Sequence, residues 1–260
     1  MQNETARLIQ ELEERRGSTI VCMIYSEHAE MSKEDVETLY DVLSHTIEGR
    51  AQTLELVLNS LGGDACAAFK IVKVVRKFCE TFNVIVPVKA KSAATLVALG
   101  SDKIFMTKIS ELGPVDPMVS HPLMTRVMIP ARVVQNFIDD VLPVILRRHG
   151  PQVADYFLKI DYNHVGFCRM AIEEARYYAE CLLGSYHMKD ARREDIIRIA
   201  STLTTFPSHD FIIDYDEAKK LGLNVELMPE DEEKLIWKLY KCYREQLDDV
   251  VLIIESRKHR

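Results

Sequence analysis

The chain has 260 residues, 33 basic and 40 acidic, for a formal net charge of −7 with histidine neutral. Apolar residues make up 47% of it, enough to bury a core in one large α/β domain or two small ones. Mild acidity with scattered Lys and Arg argues against nucleic acid or an anionic membrane as a partner. Cysteines 22, 66, 79, 168, 181 and 242 form no CxxC pair and lack metal-ligand spacing. They read as free, buried thiols in a reducing compartment.

The first residues, MQNETARLIQELEERRG, are charged and helix-like, unlike a signal peptide. No run of 18 apolar residues occurs, so no membrane span is expected and the expected location is cytoplasmic. Ala6, Leu8, Ile9 and Leu12 share a helical stripe. Ser18–Tyr25 is a short β-rich run, followed by a predicted helix from about Ser32 to Ile47, with Ser32 as N-cap before acidic residues.

Three strand–helix alternations come next. Leu54–Leu58 leads through NSLGGD into a helix from about Ala65 to Cys79. Val84–Val88 leads through KAKS into a small-residue helix ending near Gly100, and Lys103–Met106 is a third strand. Short apolar strands alternating with helices predict a mostly parallel sheet with right-handed crossovers.

From Pro130 to about Ala200 the pattern is helical, in RVVQNFIDDVLPVILRRH, QVADYFLKI and CRMAIEEARYYAECLLGSY. Asp216–Leu221 reads as a short helix, Asp231–Leu247 as an amphipathic one and Val250–Ile254 as a last apolar run. No repeat or linker divides the chain, which predicts a single α/β domain over 1–260 with a helical insertion.

Two βα turns are chemically suggestive, because ligands bind at that edge of an open parallel sheet. In the first, Gly62 and Gly63 let the backbone turn its N–H groups outward, where they can hold a developing oxyanion. The same pair also suits a plain tight turn or a phosphate cradle. In the second, KSAATLVALG, Ser92 stands where strand becomes helix. The Ser92 and Ala93 N–H groups are unpaired first-turn donors there, and the helix dipole favours negative charge at the hydroxyl. An ordinary Ser N-cap is the competing reading.

In order, NSLGGD, then KSAATLVALGSDKIFM about thirty residues on, then SELGPVDP resemble the serine-peptidase branch of the Clp-protease/crotonase superfamily. Within it the chain resembles the serine dehydrogenase proteinase family, relatives of signal peptide peptidase A, over roughly residues 5 to 227. The resemblance implies a fold of repeated ββα units with a mostly parallel sheet and a helical insertion. It further implies a serine endopeptidase without cofactor or metal, acting on polypeptide bound as an extended strand, in a ring or trimer-based homo-oligomer. By that likeness Ser92 takes the nucleophile's place, ten residues before Asp102. Gly63, beside Gly62, and Ala93 take the oxyanion-hole places. Within HDFIIDYDEAKKLGLNV, Asp210 falls on the triad aspartate of the Clp proteolytic subunit.

The chain departs from these relatives at the base. In the Clp register the histidine falls between Val115 and Pro117, inside GPVDP, where none exists, and the lysine of signal peptide peptidases has no counterpart. His209, Asp116 and His164 remain as candidates. Their plain readings are a solvated loop residue, a turn former and a structural histidine. His28, His45, His149 and His187 sit in polar surroundings and read as surface. Lys91 adjoins Ser92, and neighbours in an extended turn point apart, so a Lys91–Ser92 dyad is not expected.

Three functions compete: a serine peptidase using Ser92 with His209 assisted by Asp116 or Asp210, a crotonase-like acyl-CoA enzyme using carboxylates such as Asp116, and a non-catalytic oligomeric scaffold. No GxxxxGK[ST] motif occurs, so an unfoldase partner would be a separate chain. Val133, Phe137, Val141 and Ile145 could be subunit contacts or core.

Overall fold

Strand β1 (Thr19–Tyr25) is apolar on both faces and buried along nearly its whole length. Val21, Met23 and Tyr25 point into one core, while Ile20, Cys22 and Ile24 point into another. A strand with two apolar faces requires helices on both sides, and the computed structural model has them. It describes residues 2–121, 124, 126–153, 162–247 and 251–258. Each fully buried Leu or Ile of these cores contributes about 1.5–3 kcal/mol of transfer free energy.

In chain order the elements are α1 (Gln2–Arg16), β1, α2 (Lys33–Thr46), β2 (Ala51–Asn59), α3 (Ala65–Phe78), β3 (Cys79–Val86), β4 (Lys89–Ala90), α4 (Ala93–Leu99), β5 (Lys103–Met106), β6 (Glu111–Leu112), β7 (Met118–Ser120), β8 (Met128–Pro130), α5 (Ala131–Asn136), α6 (Leu142–His149), α7 (Tyr162–Leu182), α8 (Arg193–Leu203), α9 (Tyr215–Leu221), β9 (Val225–Leu227), α10 (Glu230–Gln246) and β10 (Leu252–Ser256). The main sheet runs β10-β1-β2-β3-β5-β9. All its pairings are parallel except β1 with β10. Helices α2, α3, α4, α7 and α8 supply the core on one face, and α1 and α10 the core on the other. Between β3 and α4, the short strand β4 leaves the main sheet to pair with β6. This is the ββα unit that the family resemblance implies.

Several boundaries shift. β3 begins at Cys79, directly after α3, so the strand expected over 84–88 starts five residues earlier. The helical region is preceded by an antiparallel ribbon, β7 with β8, that reaches Pro130. Helices α5 and α6 are joined by a π-helical turn over Phe137–Val141. The helix expected in QVADYFLKI falls mainly on 154–160, outside the described residues. Helix α6 buries none of its residues, and Val133, Val141 and Val144 are about half exposed. The expected C-terminal helix and strand are α10 and β10.

One surface assignment and one burial assignment need correction. His187 is buried: its Nδ1–H donates to Ser101 O at 2.9 Å and its Nε2 accepts the Asn224 N–H at 2.9 Å. Burial pushes its pKa down to about 4. A histidine whose two ring nitrogens are both satisfied by backbone survives burial in a segment that reads as polar. Conversely, all six cysteines are free but only Cys22, Cys79 and Cys168 are buried. Cys66 is exposed, in the first turn of α3. Among the described residues no helix is long and apolar enough to cross a membrane, and no cluster of His, Cys, Asp or Glu could hold a metal ion.

Candidate active site

The glycine turn begins where β2 ends. Asn59 Oδ1 accepts the Lys89 N–H at 3.1 Å, the Ser60 N–H donates to Lys89 O at 3.0 Å, and the Lys91 N–H donates to Ser60 O at 3.0 Å. These bonds tie the turn to β4, and so to the residue before Ser92. From the other side, the Met31 N–H donates to Gly62 O at 2.7 Å and the Asp64 N–H to Met31 O at 2.8 Å. Met31 thus bonds the two neighbours of Gly63 in a parallel bridge, which turns the Gly63 N–H to the opposite side.

Both glycines are required by backbone and by space. Gly62 has φ +112° and Gly63 φ +142°, where a side chain is strained. A methyl group on Gly62 would lie 2.7 Å from Ser92 Cβ, and one on Gly63 would lie 2.4 Å from Met31 N and O. The glycine turn and the serine therefore pack against each other.

Ser92 occupies the N-cap position of α4 with φ 50° and ψ −119°, and its side chain makes no capping hydrogen bond. A non-glycine residue held there stores about 1–3 kcal/mol of strain. Around it, α4 is buried at every position, and the Ala94 N–H donates to Lys91 O at 2.8 Å. A strained strand-to-helix turn presents its hydroxyl outward, as in a nucleophile elbow. The plain N-cap reading fails because the hydroxyl caps nothing.

The segment 111–116 connects the site's parts. Leu112 pairs with Ala90 of β4, and on its other side exchanges N–H···O bonds of 2.9 and 3.1 Å with Ile213. Thr95 of α4, fully buried, accepts the Gly113 N–H at 3.1 Å and has Ala90 O and Gly113 O at 2.7 and 2.9 Å to receive its proton. Asp116 lies at the end of this segment, 4% exposed.

His209 Nδ1 is 2.7 Å from Asp116 Oδ1. The Nδ1–H donates to the carboxylate, which leaves Nε2 of the neutral ring as an acceptor. The hydrogen bond to Asp116 raises the His209 pKa above its ordinary value. Burial opposes this rise, the charges of Asp116 and Asp210 add to it, and Lys91 subtracts from it. Gly62, Gly63, Ser92, Ala93, Asp116 and His209 all line one cleft of about 780 Å³. The exposed side chains of Leu61, Met118, Met128 and Phe167 add apolar surface to it.

The remaining candidates lie elsewhere. Asp210 is exposed, its N–H donates to Ser208 Oγ at 3.2 Å, and it does not line the cleft. His164, on α7, has a buried Nε2 without a hydrogen-bond partner and is also outside the cleft lining. Lys91 points away from Ser92, as expected, into an ion pair with Glu111 at 2.9 Å. His28 lines the cleft, although nothing in its local sequence distinguishes it from a surface histidine. The brace from Met31 and the hydroxyl of Thr95 likewise carry no local signal, since both act through contacts distant in the chain.

Comparison with known proteins identifies the family. The model of the ClpP-like SDH-type serine proteinase family matches residues 1–259. The uncharacterized protein MJ0137 of Methanocaldococcus jannaschii is 26% identical over 247 residues, covering 90% of this chain and 78% of its own. A second uncharacterized protein of that organism, MJ1495, is 26% identical over 229 residues, covering 84% and 70%. Among solved structures, a point mutant of the 1510-N membrane-bound stomatin-specific protease is similar at 17% identity, with a TM-score of 0.48 over 83% of this chain and 80% of that one. ClpP1 from Listeria monocytogenes is similar at 17% identity, with a TM-score of 0.45 over 86% and 96%. The family model spans nearly the whole sequence, and this chain belongs to the ClpP-like SDH-type serine proteinase family.

Proposed function

We propose that the chain is a serine endopeptidase in which Ser92 is the nucleophile, His209 the general base and Asp116 the residue that orients it. The observation that carries this reading is the 2.7 Å pairing of His209 with Asp116 on the cleft that Ser92 and Gly62–Gly63 also line. In chain order the triad is Ser92, Asp116, His209. The carboxylate stands where the Clp register has histidine, and the histidine stands beside the position of its aspartate. Triads with the same geometry occur in several chain orders, because the roles depend on placement in space.

A serine hydroxyl at its ordinary acidity is a weak nucleophile. His209 Nε2 takes the Ser92 proton as Oγ attacks the scissile carbonyl, while Asp116 holds the Nδ1–H and stabilises the imidazolium that forms. The N–H groups of Gly63 and Ala93 receive the oxyanion of the tetrahedral intermediate. His209 then passes the proton to the leaving amine, and water repeats the sequence on the acyl-enzyme. The apolar cleft wall suits side chains of an extended polypeptide. Asp210 contributes charge rather than contact. The strained, uncapped Ser92 favours this reading over a crotonase-like acyl-CoA enzyme, which has no use for a serine in that conformation. The intact His209–Asp116 pair favours it over an inert scaffold.

A fluorophosphonate probe tests the proposal. Labelling of the wild-type protein is expected to disappear in Ser92→Ala and to fall steeply in His209→Ala. Labelling that persists in Ser92→Ala overturns the reading. Absence of labelling combined with thermal stabilisation by acyl-CoA supports the crotonase-like alternative. The half-exposed Val133, Val141 and Val144 support assembly into a homo-oligomer, which sedimentation velocity would detect.

A further inference from the structure

The loop between β1 and α2 is hydrogen-bonded to the glycine turn through Met31 and brings carboxylates to the cleft. Glu27 and Glu30 line the cleft from that loop, Asp64 from the end of the glycine turn and Asp116 from beside His209. Among the described residues no Lys or Arg lines it, and His28 and His209 are the lining side chains able to carry positive charge. Like charges brought together repel, so each carboxylate needs compensation. Three of the four have it. Asp116 accepts the His209 N–H at 2.7 Å, and Glu27 meets Lys89 at 2.8 Å. Asp64 accepts the Cys66 N–H at 2.7 Å as N-cap of α3, with Lys33 at 3.9 Å. Glu30 is exposed and makes neither an ion pair nor a side-chain hydrogen bond among the described residues.

Large apolar side chains share the cleft with these charges. In the β7–β8 ribbon Met118 stands opposite Pro130 and Ser120 opposite Met128, which puts both methionines on one face. Both are exposed, as are Leu61 and Phe167. The ribbon continues the segment that ends in Asp116, whereas Glu30 belongs to the loop that carries Met31. A cleft lined by one sign of charge raises the local concentration of a ligand of the other sign. Contiguous exposed apolar surface gains free energy when a ligand covers it.

We propose that the cleft selects polypeptide segments carrying a cationic side chain close to large apolar ones, with Glu30 receiving the cation and Asp64 reinforcing it. This rests on the peptidase reading above and names the substrate class of the same site.

Binding is measured on Ser92→Ala, which lacks the proposed nucleophile, by fluorescence anisotropy of short dye-labelled peptides. The peptides are rich in Leu and Phe and carry Lys, Gln or Glu at the same positions. The Lys peptide is expected to bind about three- to fivefold more tightly than the Gln peptide, and the Glu peptide more weakly than either. Added salt should shrink these differences, and exchanging Leu and Phe for Ser should weaken all three peptides. Glu30→Gln, at an exposed position, should bring the Lys peptide close to the Gln peptide, and Glu30→Lys should reverse the order. Asp64→Asn, which keeps the helix cap, should reduce the Lys preference. Equal affinity for the three peptides, a preference for Glu, or no binding overturns the inference. A Lys preference that persists in both Glu30 variants overturns the role of Glu30. Fluorophosphonate labelling that survives Ser92→Ala overturns the peptidase reading itself. Ser92-dependent labelling without a Lys preference overturns only the substrate class.

Discussion

His209 Nδ1 and Asp116 Oδ1 stand 2.7 Å apart, although 93 residues separate them in the chain. Two backbone connections bring them together: Leu112 exchanges hydrogen bonds with Ile213, and the Val115 N–H donates to Leu203 O at 2.8 Å. Asp116 is almost fully buried while a quarter of the His209 side chain remains exposed. The carboxylate is thus the fixed partner, and the ring is held by it at the edge of the cleft.

Asp116→Asn should separate orientation from charge. The amide can still face Nδ1, but it favours the wrong imidazole tautomer and gives the imidazolium no counter-charge. A loss of about 10³- to 10⁴-fold in kcat is expected with the fold preserved. Peptide hydrolysis followed alongside circular dichroism checks it. A loss of tenfold or less would remove Asp116 from the proposed triad.

Gly63→Ala should fail for two reasons at once. The new methyl meets Met31 backbone at 2.4 Å, and φ +142° is hostile to any side chain. Either the turn shifts, taking the proposed oxyanion donor with it, or the Met31 bridge breaks. A destabilisation of about 2 kcal/mol or more, seen in chemical denaturation, should accompany loss of labelling. Gly17→Ala serves as the control, since it shares a positive φ of +61° but has nothing within 4 Å of the added methyl.

The sequence carried the sheet well, because its strands are continuous apolar runs such as TIVCMIY and its helices start at legible caps. It also carried the two βα turns, since Gly-Gly and a serine at the head of a small-residue helix are local features. The ribbon β7–β8 was hidden, because three-residue strands around Met118 and Met128 have too few positions to show alternation. The partnership of His209 with Asp116 rather than with its neighbour Asp210 was equally hidden. Adjacent residues compete for one contact there, and the hydrogen bonds from Leu112 to Ile213 decide it. His187 misled for a related reason, as its two partners, Ser101 O and the Asn224 N–H, are far away in the chain.

Thr95→Val replaces a buried hydroxyl by a methyl group of the same shape. It leaves the Gly113 N–H without its acceptor, at a cost of about 1–3 kcal/mol. Because Thr95 joins α4 to the segment bearing Asp116, the labelling rate should fall along with the melting temperature. Thr95→Ser, which keeps the hydroxyl, should restore most of the rate. If Thr95→Val keeps the wild-type rate and melting temperature while Thr95→Ser does not, the methyl group and not the hydroxyl matters.

His187 should contribute to acid sensitivity. Its folded pKa, about 4, lies below the ordinary value of 6.5. The unfolded chain therefore binds a proton here between these values while the folded protein does not, so stability falls as pH drops from about 6.5 to about 4. Fully developed, the effect is on the order of 3 kcal/mol. Denaturation midpoints of the wild type and His187→Gln across that window measure it. Parallel curves would mean that other groups govern acid unfolding.

His209 should behave in the opposite way, because its pKa is raised. The stability that its protonated form gains from Asp116 is fully present below the unfolded value of about 6.5 and is lost as pH rises through the folded value. Base catalysis needs the ring neutral, so activity should appear over the same interval in which that stability is lost. The acid limb of kcat/KM should accordingly lie above the ordinary histidine pKa and coincide with the loss of the pair's contribution. Rate profiles of the wild type, with unfolding midpoints of wild type and His209→Gln over the same pH range, test the coincidence. Activity that persists well below pH 6 would mean that a group other than His209 accepts the Ser92 proton.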